Sequence, residues 1–206
     1  MQQQRIIIWT LNLIGLALFS SMLYMVFFSN LMQDVDRYIG RYTATLHTEI
    51  GTKIVLFVTM LNGVAASTIL LIAVACYFWY KKWYRNLRFF LFSGVGGALL
   101  FNLFKFTLQR ARPDARLFDI ATYSFPSGHT TMATVMTLSL CFIVRQKIGE
   151  GVPQRYLMVI TLLWPLTIAF TRVYLNVHWF SDVLAALGLG LFWVTLVVLI
   201  YPPEKG

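Results

Sequence analysis

Six apolar runs, at about 6–28, 54–80, 89–108, 130–144, 157–175 and 183–201, take up most of this 206-residue chain. About twenty consecutive apolar residues is the length a helix needs to cross the hydrocarbon of a bilayer. In lipid every backbone N–H and C=O must find its partner within the structure, so a chain built this way is restricted to a helical bundle. The composition agrees: 58% of residues are hydrophobic and only 12% charged, about half the charge of a soluble domain. The expected fold is therefore all-α, a polytopic membrane protein with six transmembrane helices in a single membrane-embedded domain over 1–206. The fourth run is short, but it can extend back through Pro126-Ser127-Gly128-His129. The first is too long for the apolar core of a signal peptide and lacks an Ala-x-Ala site after it, so it reads as a retained span.

Basic loops between spans tend to stay in the cytoplasm. Lys81, Lys82, Arg85 and Arg88 separate runs two and three, Arg145, Lys147 and Arg155 separate runs four and five, and Arg5 precedes run one. Six spans put all of these on one face with both termini, which makes that face cytoplasmic in a bacterial inner membrane. The net charge of +9 fits such loops, and no soluble basic face is available for nucleic acid. Cys76 and Cys141 lie inside apolar runs with no Cys or His at ligand spacing, so neither a zinc site nor a disulfide framework is expected. Between runs one and two, Leu31, Met32, Val35, Tyr38, Ile39, Tyr42, Leu46 and Ile50 recur at helical spacing among Asp34, Asp36, Arg37 and Arg41. This predicts a short amphipathic helix over 31–50 lying at the membrane interface. The pairs Ser93/Gly97 and Ala186/Gly190 predict close helix packing.

The loop at about 109–129 breaks the charge rule. Lys105, Arg110, Arg112 and Arg116 gather there against Asp114 and Asp119, on the face expected to be external. Lys105 and Arg112 are seven residues apart, so on a helix continuing towards Pro113 they would project from nearly one side. Pro126-Ser127-Gly128-His129 opens an apolar run with residues suited to a helix start, where free N–H groups and the helix dipole favour an anion. After two more spans the chain returns to the same face with Thr171-Arg172 and with His178 and Asp182, four residues apart as on one side of a helix. A carboxylate there can take the Nδ1 proton and leave Nε2 as a nucleophile. Ionisable groups so close to the membrane are costly and point to function. Three cations and two histidines on one face describe a phosphate site.

Lys105-x6-Arg112-Pro113, Pro126-Ser127-Gly128-His129 and Arg172-x5-His178-x3-Asp182 resemble the three signatures of the type-2 phosphatidic acid phosphatase superfamily, in its bacterial six-span membrane branch. The third signature usually begins Ser-Arg; here Thr171 stands in that place and keeps the hydroxyl. The resemblance implies a catalytic set of His178 as nucleophile, Asp182 as its orienting carboxylate and His129 as acid and then base. It implies a phosphate cradle of Lys105, Arg112, Ser127, Gly128 and Arg172. It implies no metal and no cofactor, since the three cations supply the charge. The implied partners are the bilayer and a lipid phosphate, with undecaprenyl pyrophosphate, phosphatidylglycerophosphate, phosphatidic acid and lipid A phosphates all open. Two other readings stay open at this point: a lipid phosphotransferase using the same phosphohistidine, and an anion transporter, which would be expected to place charges or broken helices near mid-membrane.

Overall fold

A computed structural model describes residues 2–148 and 154–204. Those residues form eight α-helices: α1 (Gln2–Phe28), α2 (Asn30–Thr45), α3 (Glu49–Met60), α4 (Val64–Tyr80), α5 (Tyr84–Leu108), α6 (Gly128–Ile148), α7 (Gln154–Tyr174) and α8 (Phe180–Ile200). Part of the basic connection read between runs four and five, residues 149–153, lies outside the described residues. The protein is an all-α, polytopic membrane protein. Five segments among the described residues are long and apolar enough to cross a membrane: Gln2–Phe28, Glu49–Tyr80, Tyr84–Leu108, Tyr156–Tyr174 and Phe180–Ile200.

The α6 helix is not among them, and its composition explains why. Thr130, Thr131, Thr134, Thr137 and Ser139 interrupt its apolar residues. Three of these hydroxyls turn back onto the preceding turn: Thr131 donates to Ser127 O at 3.0 Å, Thr134 to Thr130 O at 2.8 Å and Thr137 to Ala133 O at 2.6 Å. That satisfies them without water, so the helix can be central in the bundle, packed on α5, α7 and α8 with Ala133 and Val135 fully buried. Small residues set the tightest contacts. A Cβ on Gly15 would lie 2.6 Å from the backbone nitrogen of Phe192, and one on Gly188 would lie 2.7 Å from that of Phe19. The α1–α8 contact, the most extensive in the fold, therefore brings backbone against backbone. The small-residue pairs read from the sequence serve the same end: Gly190 faces Thr134 and Gly97 faces Val135.

Two expectations change. The second run is not one helix. It breaks at Leu61-Asn62-Gly63, where α3 ends and α4 starts from Gly63 in an extended conformation. The buried Asn62 amide donates to the His129 carbonyl at 2.9 Å and accepts from Trp164 Nε1 at 3.3 Å, partners that a smooth apolar helix would not offer. The second change is in α2, which stops at Thr45, so Leu46 and Ile50 are not part of it. Its exposed side carries Leu31, Tyr38 and Tyr42, while Asp36 and Thr43 turn inward.

Candidate active site

Lys105 sits in the last turn of α5, which ends at Leu108 with Gln109 in the left-handed region at φ 50°. Lys105 and Arg112 are therefore not on one continuing helix, as the spacing suggested. Arg112 reaches the site from the loop, where all five of its N–H donors are engaged. It donates to Thr122 O, to the Thr122 hydroxyl, to Tyr123 O, to Val177 O and, at 3.2 Å, to His178 Nε2. Lys105 Nζ donates to Tyr123 O at 2.7 Å. The loop thus folds back over the end of α5, and its carbonyls hold both cations in place.

His178 also departs from the helical expectation. α8 begins only at Phe180, so His178 lies in the turn between α7 and α8. Asn176, at φ 52°, bends that turn, a backbone conformation that asparagine tolerates better than most residues. Asp182 is in the first turn of α8, and its Oδ2 accepts the Trp179 N–H at 2.9 Å, which ties the turn to the helix start. The same oxygen accepts the Ser124 hydroxyl and stands 3.5 Å from His178 Nδ1. Nδ1 has no hydrogen-bond partner at that distance, so the pair is aligned but not closed. An arginine N–H can only donate, so the contact with Arg112 marks His178 Nε2 as the acceptor nitrogen and places the ring proton on Nδ1, facing Asp182. Burial pushes the proton affinity of His178 well below that of an ordinary histidine. Asp182 opposes that shift, and the charges of Arg172 and Arg112 reinforce it. The imidazole is therefore neutral at neutral pH and keeps its lone pair.

Arg172, in the last turn of α7, is 3% exposed. One N–H donates to the Thr59 hydroxyl at 2.9 Å, while its buried Nε has no partner. Lys105, Arg112, Gly128, His129, Arg172 and His178 all line one cavity of about 610 Å³. The cavity also touches Leu71, Gly94, Val95 and Leu99 on α4 and α5. From Gly94 to Lys105 is eleven residues of helix, so it follows the bundle for about 16 Å. One end is cationic and the rest is mostly apolar, with Ser67, Thr68 and Asn102 interspersed. Among the described residues there is no group of three His, Cys, Asp or Glu side chains that could hold a metal ion.

The family model described as the PAP2 superfamily matches residues 86–205, more than half of the chain and all three motifs. The chain belongs to the PAP2 superfamily. It is similar to phosphatidylglycerophosphatase B of Bacillus subtilis, 28% identical over 187 residues that cover 89% of this chain and 92% of that protein. It is also similar to a lipid A 1-phosphatase of Rhizobium johnstonii, 29% identical over 135 residues, which are 59% of this chain and half of that protein's length. Among solved structures, a transmembrane PAP2-type phosphatidylglycerolphosphate phosphatase from Bacillus subtilis matches with a TM-score of 0.80 and 25% identity over 94% of each chain. Aquifex aeolicus LpxE, at 20% identity, shares the fold with a TM-score of 0.63 over 83% of this chain and 96% of its own. This PAP2 chain is accordingly a phosphoric ester or diphosphate hydrolase of the lipid phosphatase kind.

One of the residues expected in the cradle is placed differently. Ser127 does not line the cavity. Its hydroxyl lies 3.0 Å from that of Thr130 and accepts the Thr130 N–H at 3.4 Å, so it caps α6. Gly128 does line the cavity, but its missing side chain also makes room for Phe101, whose ring would lie 2.9 Å from a Cβ. Several residues at this PAP2 site were not legible as functional. Thr59 lies in the last turn of α3 and Asn62 sits in the break between α3 and α4, and the Asn-Gly pair inside an apolar run was the available signal. Arg110, Ser124 and Asp36 converge on Asp182 or its neighbour Ser181 from distant parts of the chain. The third histidine of the chain, His47, lies outside the cavity, and its Nε2 contacts Tyr174 O at 2.6 Å.

Proposed function

We propose that this protein is a metal-independent membrane phosphatase that hydrolyses lipid phosphates or pyrophosphates, of the phosphatidylglycerophosphate, phosphatidic acid or undecaprenyl pyrophosphate type, through a phosphohistidine on His178. One observation carries the reading. Lys105, Arg112, Arg172, His129 and His178 surround one end of a cavity whose remaining wall is mostly apolar, and the buried Nε of Arg172 has no partner there. A phosphate would give that N–H an acceptor, and a lipid tail would fill the apolar length along α4 and α5.

The steps follow from the side chains. The phosphate draws the Arg112 N–H away from His178 Nε2 and takes bidentate contacts from Arg112 and Arg172 and a point charge from Lys105. Nε2 then attacks phosphorus. The bond from phosphorus to the lipid oxygen breaks as His129, held protonated by the negative charge of the bound phosphate, gives that oxygen a proton. Asp182 stabilises the positive charge that grows on His178. His129, now neutral, takes a proton from water as the water attacks phosphorus; the P–N bond breaks, and free phosphate and His178 are restored. Gly128 N–H, at the start of α6, contributes the helix dipole to the equatorial oxygens. Six spans, with α6 as the fourth and α3 and α4 together as the second, put both termini in the cytoplasm of a bacterial cell and the site on the outer side, with α2 at the interface. Exposed Leu31, Tyr38 and Tyr42 on α2 support that placement.

The test is phosphate release by purified protein in detergent from a panel of phosphatidylglycerophosphate, phosphatidic acid, undecaprenyl pyrophosphate and a lipid A phosphate. The assay is run with EDTA, and again with vanadate. Release that survives EDTA and stops with vanadate is expected. Activity lost in EDTA and restored by Mg²⁺ would overturn the metal-independent reading. Phosphate appearing only on a lipid acceptor would replace hydrolysis by phosphotransfer.

A further inference from the structure

A second buried acid sits one residue away from the His178–Asp182 pair, on a helix that the reaction above does not use. Asp36 of α2 accepts the Ser181 backbone N–H at 2.9 Å and the Ser181 hydroxyl at 2.6 Å. Arg110 lies between this acid and the catalytic one. It donates to Asp36 Oδ2 at 2.7 Å, to Asp182 Oδ1 at 2.5 Å and to the Ser181 hydroxyl at 2.8 Å. The Asp36 and Asp182 side chains are 1% and 0% exposed, and that of Arg110 is 12% exposed. One planar guanidinium thus bridges two carboxylates, a task for which its fixed fork suits it better than a lysine would.

The division of labour on Asp182 gives the bridge its meaning. Arg110 occupies Oδ1, and the other oxygen faces Ser124, Trp179 N–H and His178 Nδ1. Without the arginine only the Ser124 hydroxyl and the Trp179 N–H would hold the carboxylate, both on one oxygen, so the group could turn about that oxygen and change the direction in which it faces His178 Nδ1. The rest of α2 holds the turn that carries His178. The Asn176 amide donates to Gly40 O at 3.1 Å, and the Thr43 hydroxyl lies 3.4 Å from the Asn176 carbonyl oxygen.

We propose that Arg110, anchored by Asp36 of α2, is a positioning residue that sets the orientation of Asp182 towards His178. The proposal rests on the phosphohistidine reading above and adds to it the only helix that read as peripheral in the sequence. It has a signature that ordinary scaffolding lacks. Arg110→Met leaves two buried carboxylates facing each other with no cation between them, the costly arrangement for buried charge. Adding Asp36→Asn removes one of those charges, so the double variant is predicted to be more active than the single one.

The experiment measures kcat and KM for phosphate release from phosphatidic acid, or whichever panel lipid turns over fastest, together with thermal unfolding of each variant in detergent. Arg110→Met is expected to lower kcat by about 10–100-fold, the scale on which partners behind a functional group act, with KM within about threefold of wild type. Asp36→Asn in that background is expected to recover several-fold in kcat. If Arg110→Met does not fold, Arg110→Lys, which keeps a charge but loses the two-sided fork, is read by its fall in kcat at near-constant KM alone. A kcat within twofold of wild type in the folded variant, or a loss in Arg110→Met that Asp36→Asn leaves unchanged or deepens, would overturn the proposal. His178→Ala and Asp182→Asn are run alongside. If those two remain active, the phosphohistidine reading itself has failed, whereas their inactivity with a normal Arg110→Met removes the positioning role alone.

Discussion

The bundle has two cationic ends, and they treat positive charge in opposite ways. At one end Arg85 donates to Pro202 O at 2.9 Å and stacks over the Tyr201 ring with Arg88, while Lys147 lies 5.1 Å from the centre of the Trp83 ring and 3.7 Å from Glu204. Arg85 and Arg88 are exposed. Their apolar stems cover aromatic surface and their charges stay accessible, which costs little desolvation. At the other end Lys105 and Arg172 are 5% and 3% exposed, and carbonyls and hydroxyls hold them beside two histidines. Burying two cations around one cavity, with a third half-buried beside them, is expensive unless something anionic arrives. Charge count alone does not separate these ends; the degree of burial and the partners do.

The largest effect expected from breaking this contrast is at His178. His178→Ala removes the attacking nitrogen and should abolish phosphate release with the fold retained. Asp182→Asn should lower kcat by about 10³–10⁴-fold, since it loses the charge that complements the growing imidazolium; a loss below tenfold would contradict the assigned role. Arg172→Ala should follow at about 10²–10³-fold, the scale of removing one preorganised donor to a developing anion. At the opposite end, Arg85→Ala and Arg88→Ala should leave kcat within about twofold of wild type, because exposed contacts of this kind are worth little. A large loss of activity there would mean that the two ends are coupled.

Orientation sharpens the comparison without altering catalysis. In a background lacking Cys76 and Cys141, a cysteine at the exposed Asp119 should react with a membrane-impermeant thiol reagent in intact cells, or in spheroplasts where an outer membrane is present. One at Gln146 should react only after the membrane is opened. The reverse pattern would place the site in the cytoplasm.

Much of this contrast is written in the sequence, for a physical reason. In a chain so poor in charge, each ionisable residue near an apolar run stands out, so Lys105, Arg112, His129, Arg172, His178 and Asp182 could be singled out from spacing alone. The details that spacing misjudged were set by partners remote in sequence. Lys105 and Arg112 meet because the loop folds back past Gln109, not because a helix continues. His178 faces Asp182 from a turn outside α8. Asp36 looked like part of the wet face of α2, and only the presence of Arg110 and Ser181 opposite makes the inward orientation favourable. The break at Asn62-Gly63 was marked in the sequence, but what it gives to His129 and Trp164 depends on α6 and α7 being packed against it.

The account turns on a covalent bond between phosphorus and one nitrogen. A brief reaction with lipid phosphate labelled at phosphorus, quenched in alkali, should leave label on the wild-type protein that is lost on acid treatment, as a phosphohistidine requires, and that maps to the peptide containing His178. His178→Ala should carry none. Label on neither protein, or on both alike, would contradict the mechanism.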